Sequence, residues 1–204
     1  MDWGYKENII GMADKDEKGD AGDDKNEVSI ETVDNHIYFY SSINNESILK
    51  LTQQVKKLTN QLEATVVGWD VDKPSIYLHI YSMGGSIYAG FAGLDLIRRN
   101  YLPITTVVEG GCASAATFLS IAGARRLMGH HSFMLIHQLS ASMWGKYSEF
   151  KDKSLNLDRF MEQIKAIYTQ YTTIPEEKLD GILEHDIWFS KEECLEFGLV
   201  DDYV

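Results

Sequence analysis

Cysteine is scarce in this chain of 204 residues: it has only Cys112 and Cys194. They make no CxxC pair and are too few for a disulfide framework, which excludes a disulfide-stapled scaffold and is compatible with a reducing compartment. Long apolar runs are missing as well, and none approaches the roughly 20 residues of a membrane-spanning helix. The N-terminus has neither the basic start nor the apolar core of a signal peptide, and its acidity argues against an import peptide. The expectation is a cytoplasmic protein with no membrane segment. Positive charge is also in short supply. Lys and Arg number 19 against 31 Asp and Glu, a formal net charge of −12. Binding of nucleic acid needs clustered Lys and Arg, so that class of partner is not expected. A G-x-x-x-x-G-K-[ST] phosphate loop is absent, so any ATP would be spent by a separate protein.

What is present fits one globular domain, since apolar residues make up 44% of the chain and its length suffices for a substantial core. The charge is concentrated near the start. The stretch MADKDEKGDAGDDKNE (12–27) has no apolar period and cannot offset the entropy of ordering itself, so it reads as a mobile acidic arm. Ahead of it, Trp3, Tyr5, Ile9 and Ile10 form a small apolar cluster that would dock onto the body or a partner, or be a loose terminus. The expected division is an acidic segment over 1–35 and a folded domain over 36–204.

In that domain, strand and helix signals alternate. IYFY after His36 reads as a strand, Asn45 as a helix N-cap, and Ile48, Leu51, Val55, Leu58 and Leu62 follow helical spacing. A turn region through Gly68 and Pro74 leads to SIYLHIYS, a second strand, and MGGS then opens a helix over 87–99. The run 104–108 predicts a third strand, with a helix of small and apolar residues over 115–124, and SFMLIHQ a fourth strand. The spacing predicts a long helix over 147–171, with Phe150, Leu157, Phe160, Ile164, Ile167 and Tyr171 as its apolar stripe. Ser190 and Glu193 form a capping box, and Gly198 stands where that short helix would stop. The alternation predicts an α/β fold with mostly parallel strands.

Three polar residues stand at expected strand ends: Ser114 in GGCASAA, His137 in MLIHQ and Asp186 in EHDIWFS. A serine hydroxyl needs a base to take its proton; imidazole suits that task, and a carboxylate can fix its tautomer. Each residue alone also has a plain structural reading: a helix cap for Ser114, a satisfied core histidine for His137, a turn or helix-end carboxylate for Asp186. The chain order Ser, His, Asp and the string GCASA disfavour an α/β-hydrolase, which runs Ser, acid, His around GxSxG.

Taken together, SMGGSIYAG, GCASAA, MLIHQL and HDIWFSKEECLEFGLVDDYV, in that order and spacing, resemble the proteolytic subunit of the Clp protease, a serine peptidase family of the crotonase-like superfamily. The resemblance spans about 36–204 and implies a ClpP/crotonase-like fold of repeated strand-strand-helix units with a protruding handle helix. It implies Ser114 as nucleophile, His137 as general acid–base and Asp186 as its orienting partner, with the backbone amides of Gly85 and Ala115 as oxyanion hole. The implied activity is a serine endopeptidase cleaving unfolded polypeptides inside a self-compartmentalised homo-oligomer of two stacked seven-membered rings, served by a separate Clp-type ATPase. No metal or organic cofactor is required. Other readings are a noncatalytic ring subunit and a virus-encoded processing peptidase of the same superfamily. The chain departs from the family at Met83 and Leu139, where prolines are usual, and at His185, where an arginine that couples ring assembly to the site is usual.

Other residues have simpler expectations. Cys112 reads as small buried packing rather than a reactive thiol. His130 and His131 read as a turn, not as metal ligands, and Tyr77, His79 and Tyr81 as packing or subunit contact on one strand face.

Overall fold

The computed structural model describes residues 29–66 and 73–204. The expectations for the acidic stretch and for the cluster at Trp3, Tyr5, Ile9 and Ile10 lie outside the described residues, as does Gly68. Among the described residues, eight strands form one sheet: β1 (Ser29–Val33), β2 (His36–Tyr40), β3 (Ile76–Ser82), β4 (Ile104–Ala113), β5 (Arg125–Met128), β6 (Phe133–Leu135), β7 (Trp188–Phe189) and β8 (Asp202–Tyr203). The main path runs β1-β2-β3-β4-β5-β8, while β6 pairs with β4 and β7 pairs with β6. Pairing is parallel from β2 through β8 and between β4 and β6, and antiparallel at β1–β2 and β6–β7. This is the expected α/β architecture. One boundary shifts: Ser29–Val33, placed with the acidic segment from sequence, pairs residue for residue with His36–Tyr40.

Alternation sorts the two faces. Ile37 and Phe39 of β2 and Ile76, Leu78 and Ile80 of β3 are fully buried. That face is covered by helices α1 (Asn45–Val66), α2 (Ile87–Arg99) and α3 (Ala116–Ile121). In α1, Ile48, Leu51, Val55 and Leu58 point into the core, as helical spacing requires. The helix is capped one residue earlier than expected. Asn44 Oδ1 accepts from the Ser47 amide at 2.9 Å, and Ser47 Oγ accepts from the Asn44 amide at 3.0 Å, a reciprocal cap on Asn44 rather than Asn45.

The opposite face carries His36, Tyr38 and Tyr40 beside Tyr77, His79 and Tyr81. Their rings stack across the strands, His36 on Tyr77 at 4.7 Å and Tyr38 on His79 at 4.5 Å between centroids. Within this layer His36 Nδ1 lies 2.8 Å from His79 Nε2, His79 Nδ1 lies 2.7 Å from Glu109 Oε1, and the Tyr40 hydroxyl donates to Glu109 Oε2. Burial first and then the Glu109 carboxylate push the Tyr40 phenol up to about 12.

β4 is the strand on which the geometry turns. It pairs with β5 as far as Val108 and with β6 from Gly111. Between Ile80↔Val108 and Ser82↔Cys112, three residues of β4 oppose one of β3. Gly110 takes φ +64 there, in the left-handed region that a side chain disfavours. The strand therefore continues to Ala113, well past the 104–108 read from its β-branched run.

The long helix α4 (Tyr147–Tyr171) has the bounds its spacing predicts, and α5 (Glu176–Leu183) and α6 (Lys191–Glu196) complete the fold. The first ten residues of α4 are exposed, and its buried residues are Ile164, Ile167 and Tyr168. Phe150 of the expected stripe is thus exposed and Tyr168 takes a core position instead. Both halves of the predicted capping box on α6 are present: Ser190 Oγ accepts from the Glu193 amide and Glu193 Oε2 from the Ser190 amide.

Candidate active site

Ser114 follows β4 directly and sits at φ 55, one of two non-glycine residues with positive φ among the described residues. Such a conformation costs free energy, of order 1–3 kcal/mol, and its neighbours hold it in place. The Ser114 amide donates to the Leu135 carbonyl of β6 at 2.8 Å, and its carbonyl accepts from the Thr117 amide at 3.0 Å and from Thr117 Oγ1 at 2.6 Å. The serine does not cap the following helix: α3 begins after Ala115, with no side-chain cap.

His137 lies two residues beyond β6, held by the Gln138 amide, which donates to the Leu183 carbonyl of α5 at 2.7 Å. Its Nδ1 is 2.8 Å from Asp186 Oδ1. With the carboxylate ionised, Nδ1 carries the proton and donates, leaving Nε2 as the free base of the neutral ring. The imidazole is nearly covered, at 9% exposed, while Asp186 is 62% exposed.

Ser114, His137 and Asp186 line one cleft of about 700 Å³ with Gly84, Gly85, Ala115 and Trp188. The fold thus brings together all five residues singled out from sequence. Ser114 and His137 share the cleft without a hydrogen bond between them. A looser nucleophile–base contact is common in free enzymes.

The two glycines have a steric requirement. Gly84 is at φ +95, and a Cβ there would lie 2.7 Å from Ser114 Cβ; at Gly85, φ +148, it would lie 2.2 Å from the Ile43 carbonyl oxygen. Backbone pairing with Ile43 uses the Gly84 carbonyl and the Ser86 amide, so the Gly85 amide between them takes no part. The Ala115 amide likewise lies outside the bonds that fix Ser114. Ser86 accepts from the Ala89 amide and caps α2.

Apolar side chains form the cleft wall: Phe118, Leu139, Ile164 and Tyr168. Met83, at one of the three departures from the family pattern, is exposed and lines the cleft, and Leu139, at another, is tied by its amide to Met161 Sδ at 3.3 Å. His185, the third, is exposed next to Asp186. Sequence reasoning missed Thr117 and Tyr168: Tyr168 OH lies 2.6 Å from Thr117 Oγ1, and a hydroxyl pair 51 residues apart has no sequence signature. Burial pushes the Tyr168 phenol well above its ordinary range.

The remaining candidates have structural places. Cys112 is fully buried and its thiol is pushed up by burial. His130 and His131 occupy a turn, and no cluster of His, Cys, Asp and Glu able to hold a metal occurs among the described residues.

The chain is 29% identical over 170 residues to an ATP-dependent Clp protease proteolytic subunit of Deinococcus radiodurans, covering 81% of this chain and 83% of that protein. A subunit of the same description from Oltmannsiellopsis viridis is 31% identical over 167 residues, covering 79% and 86%. Among solved structures, a ClpP1 mutant from Listeria monocytogenes superposes with a TM-score of 0.72 at 22% identity, covering 83% of this chain and 91% of that one, which shows a shared fold. The profile of the Clp protease family matches residues 31–204, the span that contains every residue of the cleft, and the chain belongs to the Clp protease family.

Proposed function

We propose that this chain is a serine endopeptidase that cleaves unfolded polypeptides, with Ser114 as nucleophile, His137 as general acid–base and Asp186 as the residue that orients it. The observation that carries this reading is the convergence of Ser114, in its strained turn, and the Asp186-bonded His137 on one cleft. His137 Nε2 would take the Ser114 proton as Oγ attacks the scissile carbonyl. The Gly85 and Ala115 amides would donate to the oxygen as it gains charge, where such donors are worth most. His137 would then pass the proton to the leaving amine, and water would release the acyl-enzyme by the same steps in reverse. The chemistry calls for no metal or organic cofactor.

Family membership supports two further parts of the reading. The active form is a homo-oligomer of two stacked seven-membered rings enclosing the clefts, and a separate Clp-type ATPase feeds it unfolded chains. Among the described residues no helix is long and apolar enough to cross a membrane, and the reading places the work in a cytoplasm-like compartment. One observation favours a ring subunit without activity: the replacements at Met83, Leu139 and His185. Fluorophosphonate labelling of the intact protein decides between the two. Labelling of the wild type that is lost in Ser114→Ala supports the peptidase, and an unlabelled wild type rejects it.

A further inference from the structure

We propose that Ser132 is a positioning residue for Ser114 and His137, locking the register of the two strands that carry them; the inference rests on the peptidase reading above. Ser132 stands outside the cleft and just before β6. It is 4% exposed. Its hydroxyl is used in both directions: Oγ accepts from the Gly110 amide at 2.9 Å and donates to the Val108 carbonyl at 3.1 Å. Those two groups flank Glu109, where β4 exchanges β5 for β6 as its partner.

The turn around Ser132 is fitted to this task. After β5, the Gly129 amide donates to the same Val108 carbonyl at 2.9 Å, and the Ser132 amide returns to the Gly129 carbonyl at 3.0 Å. The chain leaving β5 is thus folded back onto the kink before β6 begins. From there the two strands run in parallel register, Gly111↔Phe133, Cys112↔Met134 and Ala113↔Leu135. The run ends where the Ser114 amide meets the Leu135 carbonyl. His137 is two residues further on.

The short β4–β6 pair therefore has its lock at one end and the nucleophile and base at the other. Three residue pairs alone would define register weakly. A slip by one residue would move His137 along its strand by about 3.3 Å relative to Ser114 and turn its side chain to the other face. A misplacement of about 1 Å already costs roughly two orders of magnitude in rate. The Ser132 hydroxyl opposes that slip because it bonds both sides of the β4 kink at once, and an alanine methyl can bond neither.

The test compares wild type, Ser132→Ala and Ser132→Thr, which keeps the hydroxyl. Ser132→Ala is expected to slow fluorophosphonate labelling of Ser114 and kcat on a short peptide about five- to tenfold, the loss of about one net hydrogen bond. KM should move by less than about twofold, since the lock touches no residue of the cleft. Amide hydrogen exchange should quicken at 111–114 and 133–135 and stay unchanged in β2 and β3. Ser132→Thr should restore labelling and protection. Labelling and exchange at wild-type values in Ser132→Ala would overturn the proposal, as would uniformly faster exchange across the whole sheet, which marks an ordinary stabilising residue. If the wild type itself is not labelled, the peptidase reading fails, and local loss of protection at 111–114 and 133–135 alone decides whether Ser132 holds the register.

Discussion

The Tyr168 hydroxyl of α4 lies 2.6 Å from Thr117 Oγ1, and Thr117 Oγ1 in turn donates to the Ser114 carbonyl at 2.6 Å. The long helix is thereby connected to the backbone of the proposed nucleophile through two hydroxyls. Tyr168→Phe removes the outer bond and little else, because the ring remains packed against Phe118. It should cost about 1 kcal/mol and slow acylation severalfold, with the far-ultraviolet circular dichroism unchanged. Stopped-flow acylation with an activated ester measures it, and a wild-type rate would detach Tyr168 from the site.

Replacing Asp186 with Asn keeps a polar group on His137 but favours the wrong ring tautomer. Peptide hydrolysis should fall by about 10⁴-fold, while Ser114→Ala and His137→Ala should fall to a similar floor. The double variant Ser114→Ala/His137→Ala should be no worse than either, since the groups act as a unit. Steady-state hydrolysis with contaminating peptidase excluded checks both statements.

At Gly84, the positive φ and the 2.7 Å approach to Ser114 Cβ leave no room for a methyl group. Gly84→Ala should destabilise the fold by roughly 1–3 kcal/mol and reduce labelling of Ser114 more than the stability loss explains. Thermal unfolding and the labelling rate, measured together, separate the two effects.

The layer of rings on the outer sheet face should make stability depend on pH. Burial first and the neighbouring His79 second lower the pKa of His36, while Asp34 opposes the shift. Because the folded state binds this proton less readily than the unfolded chain, the contribution of His36 is full above its ordinary pKa of 6.5. It is lost as pH falls from there through the lowered folded value. The thermal midpoint should therefore decline below about pH 6.5 more steeply in wild type than in His36→Gln. Parallel curves in differential scanning calorimetry between pH 5 and 8 would remove His36 from the account.

Much of the fold was legible because local chemistry is periodic. The helices at Ile87–Arg99 and Tyr147–Tyr171, the capping box at Ser190 and the outward tyrosines of β3 follow from spacing alone. β1 was hidden because SIETV alternates too weakly to stand out beside an acidic tract, and it forms by pairing with β2. The full length of β4 was hidden for a related reason. The β-branched run ends at Val108, whereas a left-handed kink at Gly110 lets the strand change partner and continue.

The sequence by itself determined the alternation of strand and helix signals through the middle of the chain and which residue types could supply nucleophile, base and carboxylate, because motif spacing and hydrophobic period are properties of the chain. Only the tertiary structure decided that Ser114 is held at φ 55 instead of capping a helix, that Asp186 reaches His137 across 49 residues, and that Ser132 spans the kink in β4. Those relations depend on which strand lies beside which. Parallel pairing joins segments distant in sequence, so its register is fixed by packing and by hydrogen bonds that no local pattern encodes.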